Sequence, residues 1–490
     1  MPFLSSIKRW TNRLTGRASH GYDAVEDKKR RQAPLSTLQS EDKELSSSQR
    51  GQLVATSRDA PRNFEVAAWM IRKHLDYVST FGFKASTGKD SFDTDLEKWV
   101  EEVSKKENFD AAKRHPRRAF LRLAEARRVI DGDVGLLKLA TGHFQGIEGD
   151  RIRNPVLGMI PKGIDPQRLI HGVQVGKAGE AIAYSVCNRD RLGSGFVFDR
   201  MVSAENLILH GYFDRFDQTR GISPLSSAVN RLRDCYEGFD YALAKAKLAQ
   251  LLALALYRNP DEEEAVGDVA TETDSDGAVI KSKTKLTFPG AAAVLDFDVG
   301  EKAEFIESQQ PSNQFRDFTK FMIAVALLAL DIPYVFFDHS IANFTVSRHA
   351  RLLYEQSCES KQQDNRELLT AWLRWRLTLA VIDGRIVLPA GMTVDDAVAA
   401  CEWIAKGVPW VQPREEVEAN GTAVDRGFTS TERVCKGLGL DAYAIVDEEA
   451  RFQKYRREKL GEAPPKPDAT RPATDANDPE ASEGSDAARN

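Results

Sequence analysis

The five cysteines of this 490-residue chain, Cys187, Cys235, Cys358, Cys401 and Cys435, never form a CxxC pair. Neither a zinc ribbon nor a dense disulfide frame is on offer, and isolated thiols in a reducing, cytosolic setting are expected. The eight histidines show no HExxH or other ligand spacing, so no metal site is expected. Long apolar runs are missing too. The longest, residues 321–330, is about half a membrane span, which argues against a membrane partner. Residues 1–16 carry basic groups without an apolar core, so no signal peptide is expected there. Nor is there an excess of positive charge. Against 73 Asp+Glu stand 68 Lys+Arg, a net charge of -5, which gives no strong nucleic-acid footprint over the whole chain. DNA contact survives that test in a form that lets the duplex slide, because a dense phosphate grip is tight and salt-sensitive.

Signatures of catalysis are equally thin. Residues 172–178 (GVQVGKA) are one residue short of a phosphate loop, lack the Ser or Thr that would hold magnesium, and have no helix behind them. A hairpin turn reads better there. Gly193-Ser194-Gly195 lacks the third glycine of a dinucleotide fingerprint and the spacing of a nucleophile elbow. Asp338-His339-Ser340 holds triad residue types at adjacent positions, which cannot make the base-to-nucleophile geometry. No catalytic residue and no cofactor is expected, and the chain does not read as an enzyme.

What is present is long helix and some sheet. Hydrophobic residues make up 42% of the chain, enough for a real core, and charged residues 29%. Residues 17–50 are polar and without period, so residues 1–50 read as a flexible arm. From Gln52 to about Lys84 the pattern is helical, punctuated at Pro61-Arg62-Asn63, with Ala67, Ala68, Ile71, His74, Leu75 and Val78 on one side. Two more helices are expected around Trp99 and over 120–129, a strand over 136–139, and a hairpin with Val173 and Val175 facing Ile182, Tyr184 and Val186 across Gly176–Glu180. Ser223 and Pro224 suit an N-cap and first helical position, and the helix they open runs to Arg258, a rod of about 54 Å. Residues 261–276 are acidic without one basic residue and read first as a solvated loop. Strand-like alternation follows over 283–297, a second helix over 313–330, and a third over 347–379 whose polar middle, 359–366, suggests a solvent-bridging section or a kink. Short helices end the chain: one from Pro413, one capped by Thr429-Ser430-Thr431-Glu432, and one capped by Asp441 and running to about Leu460. Residues 462–490 read as disordered.

The most informative stretch is 315–348, FRDFTKFMIAVALLALDIPYVFFDHSIANFTVSR. An apolar helix stops at Asp331-Ile332-Pro333, a short polar loop follows, and Ser347-Arg348 opens the next helix. It reads as a mechanical joint rather than an active site. The order Leu330-Asp331-Ile332-Pro333-Tyr334, then Asp338, Ser340, Asn343, Phe344, Thr345, Ser347 and Arg348, resembles the "LGxPY" turn and "D-x-S-x-x-N-[YF]-[ST]-x-[ST]-R" loop of lambda-type phage portal proteins. Further matches run in order along the chain: Arg62-Asn63 with Val78–Gly82, Gln145–Ile152, Ile170–Val175 with Ala183-Tyr184, Gln218–Ser223 (QTRGIS), and Trp403, Pro413, Glu416, Ala419 and Gly427. Gln412 and Arg414 depart from the usual Asp and Lys.

That resemblance implies an α+β portal fold: an α/β wing over 51–220, a helical stem from 221–258 and 311–333, a β-containing clip over 259–310, a tunnel loop over 334–347, a long wing helix over 348–395 and a helical crown over 396–461. It implies a homo-oligomeric ring, usually a dodecamer, at the head vertex of a virion assembled in the bacterial cytoplasm. Double-stranded DNA would pass its channel without sequence specificity. Asp338, Ser340, Asn343, Thr345, Ser347 and Arg348 would line the loop. Asp261, Glu262, Glu263, Glu264 and Asp268 of the clip would face the terminase large subunit and the head–tail connector proteins, and the major capsid protein or scaffold would be a further partner. Arg348, a cation in the first turn of a helix, needs a compensating partner, and a protein carboxylate, Asp338 or one of a neighbouring subunit, is expected ahead of a DNA phosphate. Two other classes remain open on the residues alone: a cytosolic enzyme with scattered catalytic groups, and a monomeric scaffold or adaptor.

Overall fold

Ser46 accepts from the Gln49 backbone while the Gln49 side chain reaches back to the Ser46 backbone, a capping box that starts helix α2 (Ser47–Asn63) just after a single turn, α1 (Glu41–Glu44). These residues belong to a computed structural model that describes residues 40–155, 160, 164–190, 195–252, 268–273, 279–285, 313–341, 344–407 and 413–460. The chain divides into two units, Met1–Val411 and Gln412–Asn490. Residues 40–50, expected within the flexible arm, are packed instead. Leu45 is buried with Leu53 and Ile222, and Arg50 lies in the interior. Glu41, Asp42, Ser47 and Arg50 find partners far along the chain, in Arg215, Thr219, His171 and Asp133, which local composition cannot show.

Extended backbone at Phe64 separates α2 from α3 (Glu65–Val78), whose buried face is Val66, Ala67, Met70, Ile71, His74, Leu75 and Val78. The helical pattern ends there. Lys84 lies in strand β1 (Phe81–Ala85) rather than in a helix, because the Phe-Gly-Phe alternation is paired by a distant strand. Helices α4 (Asp90–Val103), α5 (Lys106–Phe109) and α6 (Arg117–Asp131) follow, and Gly132 with φ 95 turns the chain into the central strand β2 (Asp133–Lys138). β2 pairs antiparallel with β3 (Phe144–Glu148) and β8 (Leu207–Gly211). A second antiparallel sheet runs in the order β4 (Leu169–Ile170), β5 (Val173–Val175), β6 (Ala181–Arg189), β7 (Phe196–Ser203). The expected hairpin is its β5–β6 turn, with Val173 opposite Tyr184. The fold is thus mixed α+β.

Ser223 caps a short 3-10 turn, Pro224–Ser227, and α7 (Val229–Leu252) continues from it. The expected end of this helix near Arg258 lies outside the described residues. Part of the acidic insert, read as a solvated loop, is a strand: β9 (Asp268–Thr273) pairs antiparallel with β10 (Val279–Lys285), setting Asp268 opposite Lys285. The alternation over 286–297 falls outside the described residues. α8 (Asn313–Leu327) leads to the joint and to α9 (Phe344–Ile382), 39 residues long. The polar middle of α9 lies within one continuous helix, and its inward side makes specific contacts. Gln362 donates to the Tyr77 carbonyl, Arg366 to the Trp403 carbonyl, and Asn365 is fully buried against Glu125. A helix whose inward stripe carries polar partners looks solvated when only its own sequence is read.

After α9, α10 (Val394–Ala399) is capped by Thr393 and leads into β11 (Cys401–Ala405), which pairs with β1 and buries Trp403 beside Phe83 and Trp372. A strand of five residues inside the segment expected to be all helix gives little local signal. Phe109, Phe120, Phe144, Trp372 and Trp403 form a contiguous aromatic core here. The Gln412–Asn490 unit contributes α11 (Pro413–Asp425), α12 (Thr431–Gly437, capped by Ser430) and α13 (Ala442–Leu460), and no residue of these three helices is buried. No helix among the described residues is long and apolar enough to cross a membrane.

Candidate functional site

Two places collect the residues that the sequence singles out. The first is a buried knot around Asp133, at the start of β2. Arg220 grips this carboxylate with both edges of its guanidinium, Nε to Oδ2 and Nη2 to Oδ1, each at 2.7 Å. Its remaining donors reach the carbonyls of Ile152, His171 (2.6 Å) and Gly149 (2.7 Å). Arg50 adds Nη2 to Asp133 Oδ2 at 3.0 Å and Nη1 to the Gly221 carbonyl at 2.8 Å. Burial, then the neighbouring Arg220 charge, lowers the Arg50 pKa to about 10, while burial of Asp133 is outweighed by Arg220 and Arg50, which hold its pKa below the usual carboxylate range.

The motif QTRGIS is explained residue by residue. Gln218 ties the loop by donating to the carbonyls of Tyr212 and Arg220, Gly221 lets its backbone meet Gly132 where a Cβ would stand 2.2 Å from the Gly132 oxygen, and Ser223 donates to Val129 and caps the next turn. The segments 145–152, 170–175 and 218–223, far apart in sequence, therefore converge on one ion pair.

The second place is the joint. Leu328–Leu330 tightens the end of α8 into a 3-10 turn, and Asp331 takes the left-handed conformation, φ 60 and ψ 21. The Ile332 amide donates back to Leu327 and the Asp331 amide to Leu328, both at 3.1 Å, which is a Schellman stop with Ile332 and Leu327 packed in its hydrophobic contact. Glycine is the usual residue in such a place. Asp is among the few others that tolerate it, and here its carboxylate is anchored by Lys361 of α9 at 2.7 Å. Pro333 then prevents the helix from resuming.

Beyond Pro333 the chain lies down on aromatic neighbours: Phe336 meets Tyr354 edge-on at 5.4 Å, and Phe337 meets Trp69 at 5.6 Å. Burial in this cluster pushes the Cys358 thiol up to about 11, so it is an inert packing residue. Asp338 accepts from the Ser340 amide (3.0 Å) and hydroxyl (2.6 Å) and pairs with Lys320 of α8 at 2.8 Å. The bond from Lys320, then those from Ser340, holds its carboxyl far below the usual range.

Of the expected loop residues, the structure brings Asp338 and Ser340 together. Asn343 lies outside the described residues, as do Asp261, Glu262, Glu263 and Glu264. α9 begins at Phe344, three residues earlier than expected, so Thr345, Ser347 and Arg348 sit in its first two turns. Extending an established long helix costs far less than nucleating one, which outweighs the β-branched residues here. Asp338 is not the clamp of Arg348, since Lys320 occupies it, and Arg348 is exposed. Lys320 escaped the sequence reading, although a lone lysine between Asp317 and Asp331 on an otherwise apolar run was the signal. Removing it should free the loop: Lys320→Ala is expected to raise hydrogen exchange over 334–341 severalfold, whereas Arg348→Ala leaves it unchanged. Equal effects of the two would contradict this assignment.

The model of the lambda family of phage portal proteins matches residues 28–362, more than half of the chain. The chain belongs to this family. It is a portal protein, a component of a phage head vertex, and its joint, residues 315–348, lies wholly within the matched region. Chains in solved gene transfer agent (GTA) particles are similar to the portal protein: one from the virion of the native particle (13% identity, 79% of this chain and 93% of that chain, TM-score 0.40), one from the neck of the empty particle computed with C6 symmetry (14%, the same coverage, 0.42), and one from the neck of the native particle computed with C12 symmetry (13%, the same coverage, 0.41). Comparison with curated proteins gives no match.

Proposed function

We propose that copies of this portal protein close into a ring in the virion, usually of twelve, with α7 and α8 as the stem around a channel for double-stranded DNA. The observation that carries this reading is the apolar surface that one chain leaves bare on its long helices. Tyr241 (73% exposed) and Leu243 on α7, Phe318, Phe321 (63%) and Leu328 (67%) along α8 and its last turn, and Leu352 and Leu353 on α9 face outward. Single exposed apolar residues are ordinary, but a run of them along paired helices marks a contact surface. A closed rotational assembly covers such faces on every copy at once.

In this reading the 334–347 segment is the tunnel loop, positioned by Lys320, and Thr345, Ser347 and Arg348 at the start of α9 face the passing duplex. The net charge of -5 suits a channel that guides DNA without holding it. The β9–β10 hairpin and its flanks, including Asp261, Glu262, Glu263, Glu264 and Asp268, form the clip that docks the terminase large subunit during packaging and the head–tail connector proteins afterwards. Replacing residues 261–276 by a neutral linker tests this: rings should persist while terminase binding per ring falls at least severalfold. Collapse of assembly with unchanged terminase binding would make the insert structural instead.

A further inference from the structure

Glu125 on α6 has no exposed surface, and five side chains converge on its carboxylate. His74 Nε2 of α3 (3.0 Å) and the Tyr212 hydroxyl (3.2 Å) reach Oε1, while Arg128 Nη1 (3.3 Å), Asn365 Nδ2 of α9 (3.2 Å) and His210 Nε2 of β8 (3.4 Å) reach Oε2. Arg128 also pairs with Asp364 of α9 and lies 4.0 Å above the Tyr212 ring. The titratable and charged groups facing this carboxylate are therefore His74 from α3, Arg128 from its own helix, His210 and Tyr212 from β8 and the residues after it, and Asp364 and Lys361 from α9. One turn of α9 thus seats the long helix on α6 and the end of α3, and β8 joins through the shared Glu125 carboxylate. Lys361, which holds the left-handed Asp331, lies in the same turn.

The weak point of the cluster is His74. Its ring is fully buried, Nε2 is committed to Glu125, and Nδ1 has no partner among the described residues. A neutral ring tolerates a bare acceptor there. A protonated ring would carry a buried, unpaired N–H and add a third positive charge to those of Arg128 and Lys361. We propose that the Glu125 cluster is a proton-operated clasp: uptake of a proton at His74 Nδ1 unseats Asn365 and Asp364 and frees the centre of α9 from α3 and α6. The clasp belongs to the single chain and does not depend on the ring.

The direction follows from linkage. Burial, against the pull of Glu125, lowers the His74 pKa below its ordinary 6.5, so the seated state is at full strength above that value and weakens as pH falls beneath it. Burial acts to raise the Glu125 pKa, but His210, His74 and Arg128 hold it well below its ordinary 4.5, so its own contribution is lost only in stronger acid.

The test is hydrogen exchange of residues 357–368 in the full-length protein, corrected for the intrinsic rate, at about pH 7.5 and about pH 5.5. One proton taken up per clasp opened predicts about a tenfold loss of protection across that step in the wild type. His74→Gln keeps a neutral donor for Glu125 and should lose less than about twofold. Unchanged wild-type protection, or an equal loss in His74→Gln, overturns the proposal. Should His74→Gln not fold, Asn365→Leu serves: it should be poorly protected already at the higher pH with no further loss in acid, and a wild-type-sized acid loss in it refutes the clasp.

Discussion

Arg220→Ala is expected to destabilise the portal protein by roughly 3–5 kcal/mol, because it leaves a buried carboxylate without its main counter-charge. Asp133 has no exposed surface and Arg220 is 2% exposed. The substitution also strips donors from the carbonyls of Gly149, Ile152 and His171, which are then left to the interior. Arg50 remains beside Asp133 and places the loss toward the lower end of that range. Arg220→Lys should recover only part of it, since an ammonium cannot grip both carboxylate oxygens and three carbonyls at once. The double variant Arg220→Ala with Asp133→Asn should be less damaged than Arg220→Ala alone, because the uncompensated charge is gone. Chemical denaturation measures all three. A loss below about 1 kcal/mol for Arg220→Ala would mean that the knot is not where this part of the fold derives its stability.

The second large effect concerns assembly rather than folding. Phe321→Glu combined with Leu328→Glu should convert rings to single chains while leaving the circular dichroism spectrum and the melting of the chain nearly unchanged. Both side chains are mostly exposed in one copy, so the folded chain loses little. At a subunit contact the same side chains would each be worth about 1.5–3 kcal/mol of burial, and a carboxylate placed there adds a desolvation cost. A variant that unfolds, or one that still forms rings, contradicts the assignment of this face.

Much of the fold was legible because local chemistry dictates it. Ser223-Pro224 and Asp441 start their turns and helices through their own side chains, the cap of α12 is Ser430 onto Arg433 rather than the expected Thr429–Glu432 box, and the β5–β6 hairpin follows from a short polar turn between alternating residues. The joint was legible for the same reason: Leu-Asp-Ile-Pro holds its stop signal within four residues. What escaped depends on partners far away. Arg50 finds Asp133 across 83 positions, Asn365 finds Glu125 across 240, and β11 exists only because β1 pairs with it. Residues 40–50 and the middle of α9 look solvated by composition, yet their polar groups are spent on long-range contacts. Of the loop residues, the Asp338–Ser340 turn could be read locally, but Lys320, which fixes it to α8, could not.

The most direct test of the account is the native mass of the purified full-length protein at micromolar concentration. The account predicts a single closed ring, an integer multiple of the chain mass, with twelve as the copy number that family membership implies. A stable single chain under the same conditions would contradict it.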